Sequence, residues 1–125
     1  MQPAPVPIRR FVAAACLAVM LGLPGARTVA AAPEDEVRAA FDRFVAVQNA
    51  HDEKELAGLL VDSPDFLWIT RGSAVWGREA ALKRFAALYQ GTWQLAPDAS
   101  ALRVMMLGDS VAQLFVPISF TIAFI

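Results

Sequence analysis

The stretch of residues 47–82, VQNAHDEKELAGLLVDSPDFLWITRGSAVWGREAAL, decides the fold of this chain. It predicts, in order, a helix end, a sharp corner, a short capped helix, a turn, a β-hairpin and the start of a third helix. This order of elements indicates an α+β domain. The stretch points to an architecture much more clearly than it points to a reaction.

The corner within this stretch contains the residues that first suggest chemistry. Asn49-Ala50-His51 is expected to end the first helix, because Asn and His tolerate the left-handed conformation better than most residues do. Asp52 is then the predicted N-cap of the second helix, and Glu55 completes an Asp version of the capping box. We therefore interpret the chain's single histidine and this carboxylate pair as structural, and expect neither a metal nor a cofactor.

The first 31 residues have the pattern of a secretory signal peptide. Arg9 and Arg10 form a charged start, residues 11–23 form an apolar run, and small residues close the segment at 28–32. The run is short for a bilayer span, which needs about 20 apolar residues, so we favour a cleaved signal over a membrane anchor. We expect a secreted or periplasmic protein without membrane association after cleavage.

The remaining residues, 32–125, are long enough for one small domain, which is mildly acidic. Arg9, Arg10 and Arg27 precede it, so eight of the eleven basic residues remain against twelve acidic ones, a formal charge of −4. No basic run survives, so nucleic acid is not expected as a partner. The one cysteine, Cys16, lies in the predicted signal, so this domain has no disulfide and relies on its core.

Two longer helices are predicted on either side of the short one. The first should begin near Pro33-Glu34, because Pro fits a first helical turn and acidic residues suit the positive end of the helix dipole. Its apolar stripe comprises Val37, Ala40, Phe41, Phe44, Val45 and Gln48. The third helix should run from Arg78 to about Gln90, with Lys83 and Arg84 on its exposed side. Its buried stripe comprises Ala81, Leu82, Phe85, Leu88 and Tyr89.

The second half of the domain is predicted to be mostly strand. Residues 66–70 are apolar on both faces and predict a buried strand, which a turn at 71–73 links to a short return strand ending at Trp76. Residues 93–95, 101–107 and 111–124 predict three more strands, and every even position of the last from 112 to 122 is apolar. Pro117 cannot donate to a ladder, so it marks an edge, a bulge or a bend.

This order of helix, short helix, hairpin, helix and antiparallel strands resembles the nuclear transport factor 2-like superfamily, in particular its SnoaL-like bacterial branch. The resemblance covers residues 34–122 and rests on QNAHD at 48–52, LL at 59–60, DF at 65–66 and GREA at 77–80. It implies three N-terminal helices packed on a curved antiparallel sheet, a cone or cystatin-like roll. It also implies an apolar pocket and a homodimer.

The chain departs from this family in two respects. Members usually continue with two further strands, so we expect the last strands to be missing and an apolar edge to be exposed. Ketosteroid isomerase-like members place a Tyr in the first helix and an Asp base on the first strand. The matching positions here are Phe44, which has no hydroxyl, and residues 68–70, which have no carboxylate. Proton abstraction by that route is therefore not supported.

The aromatic residues are the remaining candidate site. We expect a pocket lined by Phe44, Trp68, Thr70, Trp76 and Tyr89, with Thr70 and Tyr89 as polar contacts to a small apolar ligand. The same side chains can equally be ordinary core, since the pocket of this fold is the hollow end of its core. Two functions stay open. One is an exported small-molecule-binding protein, with a SnoaL-like lyase or isomerase as a catalytic alternative; the other is a non-catalytic dimerisation or protein-interaction module.

Overall fold

A computed structural model describes residues 32–124, and the predicted signal segment lies outside the described residues. The chain forms α1 (Pro33–Asn49), α2 (Glu53–Leu59), β1 (Leu67–Thr70), β2 (Ser73–Trp76), α3 (Arg78–Tyr89), β3 (Thr92–Pro97), β4 (Arg103–Met106), β5 (Ala112–Phe115) and β6 (Ile118–Ala123). The predicted α+β class is confirmed. None of the helices in this part of the chain combines the length and apolar character that a membrane span requires.

The strands pair as three two-stranded antiparallel sheets, β1–β2, β3–β6 and β4–β5, and within residues 32–124 no continuous curved sheet joins them. The β3–β6 and β4–β5 sheets lie one after the other along the same two segments of chain. Pro97 pairs with Ile118 at the end of the first, and Arg103 pairs with Phe115 at the start of the second. Between these pairs, residues 98–102 face only 116–117, and the Asp98 N–H donates to the Pro117 carbonyl at 2.9 Å. The single final strand expected from the sequence is therefore two strands, which are interrupted at residues 116–117, where Pro117 cannot donate to a ladder. The longer opposing segment includes the 3-10 helix Ala99–Ala101.

The hairpin of β1 and β2 turns on two residues with positive φ. Arg71 has a φ of 50° and Gly72 a φ of 77°, as the tight two-residue hairpin turn of type I′ requires. The prediction that this first strand is buried on both faces is wrong. Trp68 is half-buried against α3, stacked on Phe85 at a ring-centroid distance of 4.1 Å, but Ile69 is 67% exposed. A sheet of two strands with a helix on one face leaves its other face open.

The corner between α1 and α2 has the predicted backbone. His51 adopts a φ of 54°, in the left-handed region, and the Asp52 carboxylate caps α2 by accepting from the Glu55 N–H at 3.0 Å. The reciprocal half of the expected capping box does not form. The Glu55 carboxylate instead accepts from the Arg43 guanidinium at 2.7 Å, and the Asp52 N–H donates to the Val47 carbonyl. The cap is thus confirmed, and Glu55 contributes to the contact between the two helices.

The core lies where the end of α1 meets α2, α3 and β3. Its buried apolar side chains are Val47, Leu56, Ala81, Phe85, Tyr89, Trp93 and Leu95. The predicted stripe of α3 is confirmed, since three of its five residues are buried and the other two are half-buried. β6 passes so close to the end of α3 that a Cβ added to Gly91 would collide with the Ala123 carbonyl oxygen. Glycine is required there by this close approach.

We predict that Gly91→Ala destabilises the protein by about 1–3 kcal/mol, the usual cost of overpacking, because the colliding atom belongs to the backbone and cannot rotate away. Urea unfolding of the variant and the wild type measures the difference. Gly58→Ala, inside α2, is the matched control, since no heavy atom lies within 4 Å of its added Cβ. It should stabilise by up to about 1 kcal/mol. Similar effects at the two glycines would contradict the close approach.

Candidate functional site

A buried glutamine joins the end of α1 to α3 and β3. Gln48 is 1% exposed, and its Oε1 accepts hydrogen bonds from the Tyr89 hydroxyl at 2.7 Å and from the Trp93 indole Nε1 at 2.9 Å. An indole N–H can only donate, so the amide oxygen must face Trp93 and the amide nitrogen must point elsewhere. Both buried donors are satisfied by a single oxygen atom.

The next polar residues of the corner fasten α1 to β3 directly. The Asn49 side chain donates to the Leu95 carbonyl at 3.0 Å and accepts from the Leu95 N–H at 2.7 Å, as a neighbouring strand would. The His51 Nε2 donates to the Trp93 carbonyl at 2.9 Å, and its ring stacks on Tyr89 at a centroid distance of 4.8 Å. These contacts support the structural interpretation of His51.

The environment of Tyr89 keeps its phenol protonated. Burial raises the pKa of the Tyr89 hydroxyl well above its usual value, and the nearby carboxylates of Glu53 and Asp52 raise the pKa further. A protonated hydroxyl can donate to Gln48, so the shifted pKa and the hydrogen bond are consistent. Tyr89 therefore acts as a donor in the core and is not poised to accept a proton at neutral pH.

A cavity of about 560 Å³ adjoins this network. Small-molecule sites typically have volumes of roughly 300–1,000 Å³, with mostly apolar walls and a few polar groups. The walls here come from α1, β1, α3, β3 and β6, and three lining residues are polar, namely Gln48, Thr70 and Arg71. The apolar lining residues are Phe44, Trp68, Ile69, Phe85, Trp93, Leu95, Ile118, Phe120 and Ile122.

The structure brings three of the five sequence-predicted pocket residues to this cavity. Phe44, Trp68 and Thr70 line it, whereas Tyr89 is buried next to it with its hydroxyl on Gln48. Trp76 is 59% exposed and lies in a separate polar cleft beside Arg78. The reason is the hairpin register, which pairs Trp76 with Leu67 and so places it on the face opposite Trp68. Ligand binding by any of the five stays a prediction.

Sequence reasoning predicted one polar residue of the lining, Thr70, and missed the other two, Gln48 and Arg71. The sequence pattern places Gln48 in the apolar stripe of α1 and Arg71 in a turn, although a lone amide within an apolar stripe is itself a signal of a buried polar contact. None of the side-chain hydrogen bonds within residues 32–124 uses the Gln48 Nε2 atom. Because Gln48 lines the cavity and its oxygen is engaged, the amide nitrogen is the group available to an acceptor in a bound molecule.

The described part of the chain holds no cluster of three or more His, Cys, Asp or Glu side chains that could bind a metal ion. Comparison of the chain with protein-family models, with curated proteins and with solved structures finds no match. The function of the cavity therefore has to be argued from its own chemistry.

We predict that the Tyr89 phenol ionises only well above its usual pKa of roughly 10 in the folded protein and near that value in urea. Tyr89 is the chain's single tyrosine, so phenolate absorbance during a pH titration reports it alone. A pKa raised by folding contributes stability that is fully present below about pH 10 and is lost as the pH rises through the folded value. The Tyr89→Phe variant should lack this part of the decrease in the free energy of unfolding at alkaline pH. Equal midpoints in the folded and unfolded chain would contradict the burial of the Tyr89 hydroxyl.

Proposed function

We propose that this chain is an exported protein of the nuclear transport factor 2-like superfamily, SnoaL-like branch, that binds a small molecule with an apolar body. The observation that carries the proposal is the 560 Å³ cavity, whose walls are aromatic and aliphatic apart from three polar side chains. That composition is typical of small-molecule sites. The signal-like pattern of residues 1–31 supports export.

The order of the elements supports the proposed family. α1, α2, the β1–β2 hairpin and α3 follow one another as the motifs at the corner and at the start of α3 predict, and antiparallel strands follow. On this proposal the strands belong to a cone or cystatin-like roll around the helices. Fold and function are separate inferences, because one fold hosts many functions, so the ligand is argued from the cavity alone.

The chemistry of the lining favours binding over catalysis. Arg71 is the one ionisable residue among the described residues that line the cavity. Its guanidinium does not accept a proton near neutral pH. The Thr70 hydroxyl lies in the lining without a histidine or carboxylate beside it in the wall, so no base is in place to activate it. The SnoaL-like lyase or isomerase alternative would need its base to come from the substrate or from water.

A second function is favoured by the outer face of the β4–β5 sheet. Met105 and Phe115 are each more than 60% exposed there, and Leu107 and Val111 are exposed at the connecting loop. Exposed apolar side chains grouped on one surface are typical of protein-interaction sites. On this alternative the chain is a dimerisation or interaction module, and a homodimer would cover these residues.

The test of the binding proposal is titration of the full chain with the neutral fluorescent probe N-phenyl-1-naphthylamine. We expect saturable binding, and we expect Phe120→Ser to weaken it by about tenfold, since a lost Phe contact of about 1.5 kcal/mol corresponds to that ratio. Phe120 lines the cavity and is 49% exposed, so its replacement leaves the buried core in place.

Phe115→Ser is the matched control, because Phe115 is a comparably exposed strand phenylalanine that does not line the cavity. It should bind the probe as the wild type does. Equal weakening by the two substitutions would contradict binding in the cavity. No saturable binding, together with a stable dimer in sedimentation equilibrium, would favour the interaction module.

A further inference from the structure

A second, smaller cavity of about 230 Å³ opens beside the large one. The two share four lining residues, Thr70, Arg71, Trp93 and Ile122, so they form adjoining parts of one cleft. We call the large cavity the chamber. We call the small one the mouth, where Arg84 and Phe124 join the shared residues. The chamber is therefore mostly apolar, and the mouth carries two arginines, of which Arg71 also lines the chamber.

Neither arginine of the mouth has an acidic partner among the described residues. Of the other four arginines in residues 32–124, Arg78 pairs with Asp62 at 3.0 Å and Arg43 with Glu55 at 2.7 Å, whereas no ion pair there includes Arg38 or Arg103. No ion pair of the described residues includes Arg71 or Arg84, and no Asp or Glu lines either part of the cleft. In a domain with an acidic excess, this cleft is thus locally positive.

The two guanidinium groups are held over aromatic rings. Arg84 lies 5.6 Å from the centroid of Trp68, which lines the chamber, and Arg71 lies 5.5 Å from the centroid of Phe124, which lines the mouth. Such cation–π contacts restrict the side chain without using its N–H donors. Both arginines therefore keep hydrogen-bond donors for a bound anion.

We propose that the ligand is an amphipathic monocarboxylic acid, with its apolar body in the chamber and its carboxylate at the mouth between Arg71 and Arg84. This rests on the proposed function of the cavity. The planar guanidinium fork matches a carboxylate in geometry and charge, and it can bind both oxygens at once. The Gln48 amide nitrogen supplies one further donor to an oxygen on the ligand body. A carboxylate placed at the apolar end of the chamber would instead lose its hydration without compensation.

The test compares three ligands that share one apolar chain and differ in head group: decanoate, 1-decanol and decylamine. Each displaces N-phenyl-1-naphthylamine from the full chain at neutral pH, below the concentration at which it forms micelles. We expect decanoate to displace the probe at about tenfold lower concentration than 1-decanol, as one charge-assisted contact provides. Decylamine should be the weakest of the three, and added salt should reduce the preference for decanoate.

The variant Arg71→Gln/Arg84→Gln should lose the preference for decanoate, so that decanoate and 1-decanol displace the probe at similar concentrations. Arg103→Gln is the matched control, because Arg103 is exposed on β4 and lines neither part of the cleft. It should keep the preference. Equal displacement by decanoate and 1-decanol, or loss of the preference in Arg103→Gln, would overturn the carboxylate proposal while leaving the binding function intact. Failure of the probe itself to bind would overturn the proposed function, and this inference with it.

Discussion

The rest of the described structure depends on the two hydrogen bonds that the Oε1 atom of Gln48 accepts. It accepts one hydrogen bond from α3, through Tyr89, and one from β3, through Trp93, so it joins three elements at a buried point. Removing it would leave two buried donors without a partner, which is more costly than losing an exposed pair. Asn49 and His51 extend the same junction along β3 through hydrogen bonds to Leu95 and Trp93, and the Gln94 side chain donates to the Asn49 carbonyl, so the corner is bonded to three consecutive residues, 93–95.

The cavity follows from this junction. With its indole N–H on Gln48, Trp93 packs at an interplanar angle of 71° to Phe85, at a centroid distance of 6.0 Å, and at 49° to Phe120, at 5.3 Å. All three side chains belong to the cavity wall. Phe85, Trp93 and Leu95 are also part of the core, so the same residues stabilise the fold and shape the site. Polar groups enter the cavity where secondary-structure elements end: Thr70 is the last residue of β1, Arg71 follows it in the turn, and Gln48 lies near the end of α1.

Local features of this fold could be predicted from the sequence, and long-range contacts could not. The bounds of α1, the left-handed His51, the Asp52 cap and the stripe of α3 depend on residues a few positions apart, and each was found from such spacing. The position of Trp76 depends on the hairpin register. The two hydrogen-bond partners of Gln48 lie more than forty residues away in sequence, and no local pattern reveals them. Arg84 has the spacing of a solvated helix face, and only the tertiary structure places it over Trp68 at the mouth of a cavity.

The free energy of unfolding of Gln48→Leu, measured in urea against the wild type, tests the central role of this glutamine most directly. Leucine has a similar volume and no acceptor, so the substitution isolates the hydrogen bonds to Tyr89 and Trp93. The two orphaned donors should together cost at least about 2 kcal/mol, since each buried unsatisfied group costs roughly 1–3 kcal/mol. Gln113→Leu, on the exposed face of β5, should change the stability by less than about 0.5 kcal/mol. An equally small effect at Gln48 would contradict the account, because the fold would then not depend on this amide.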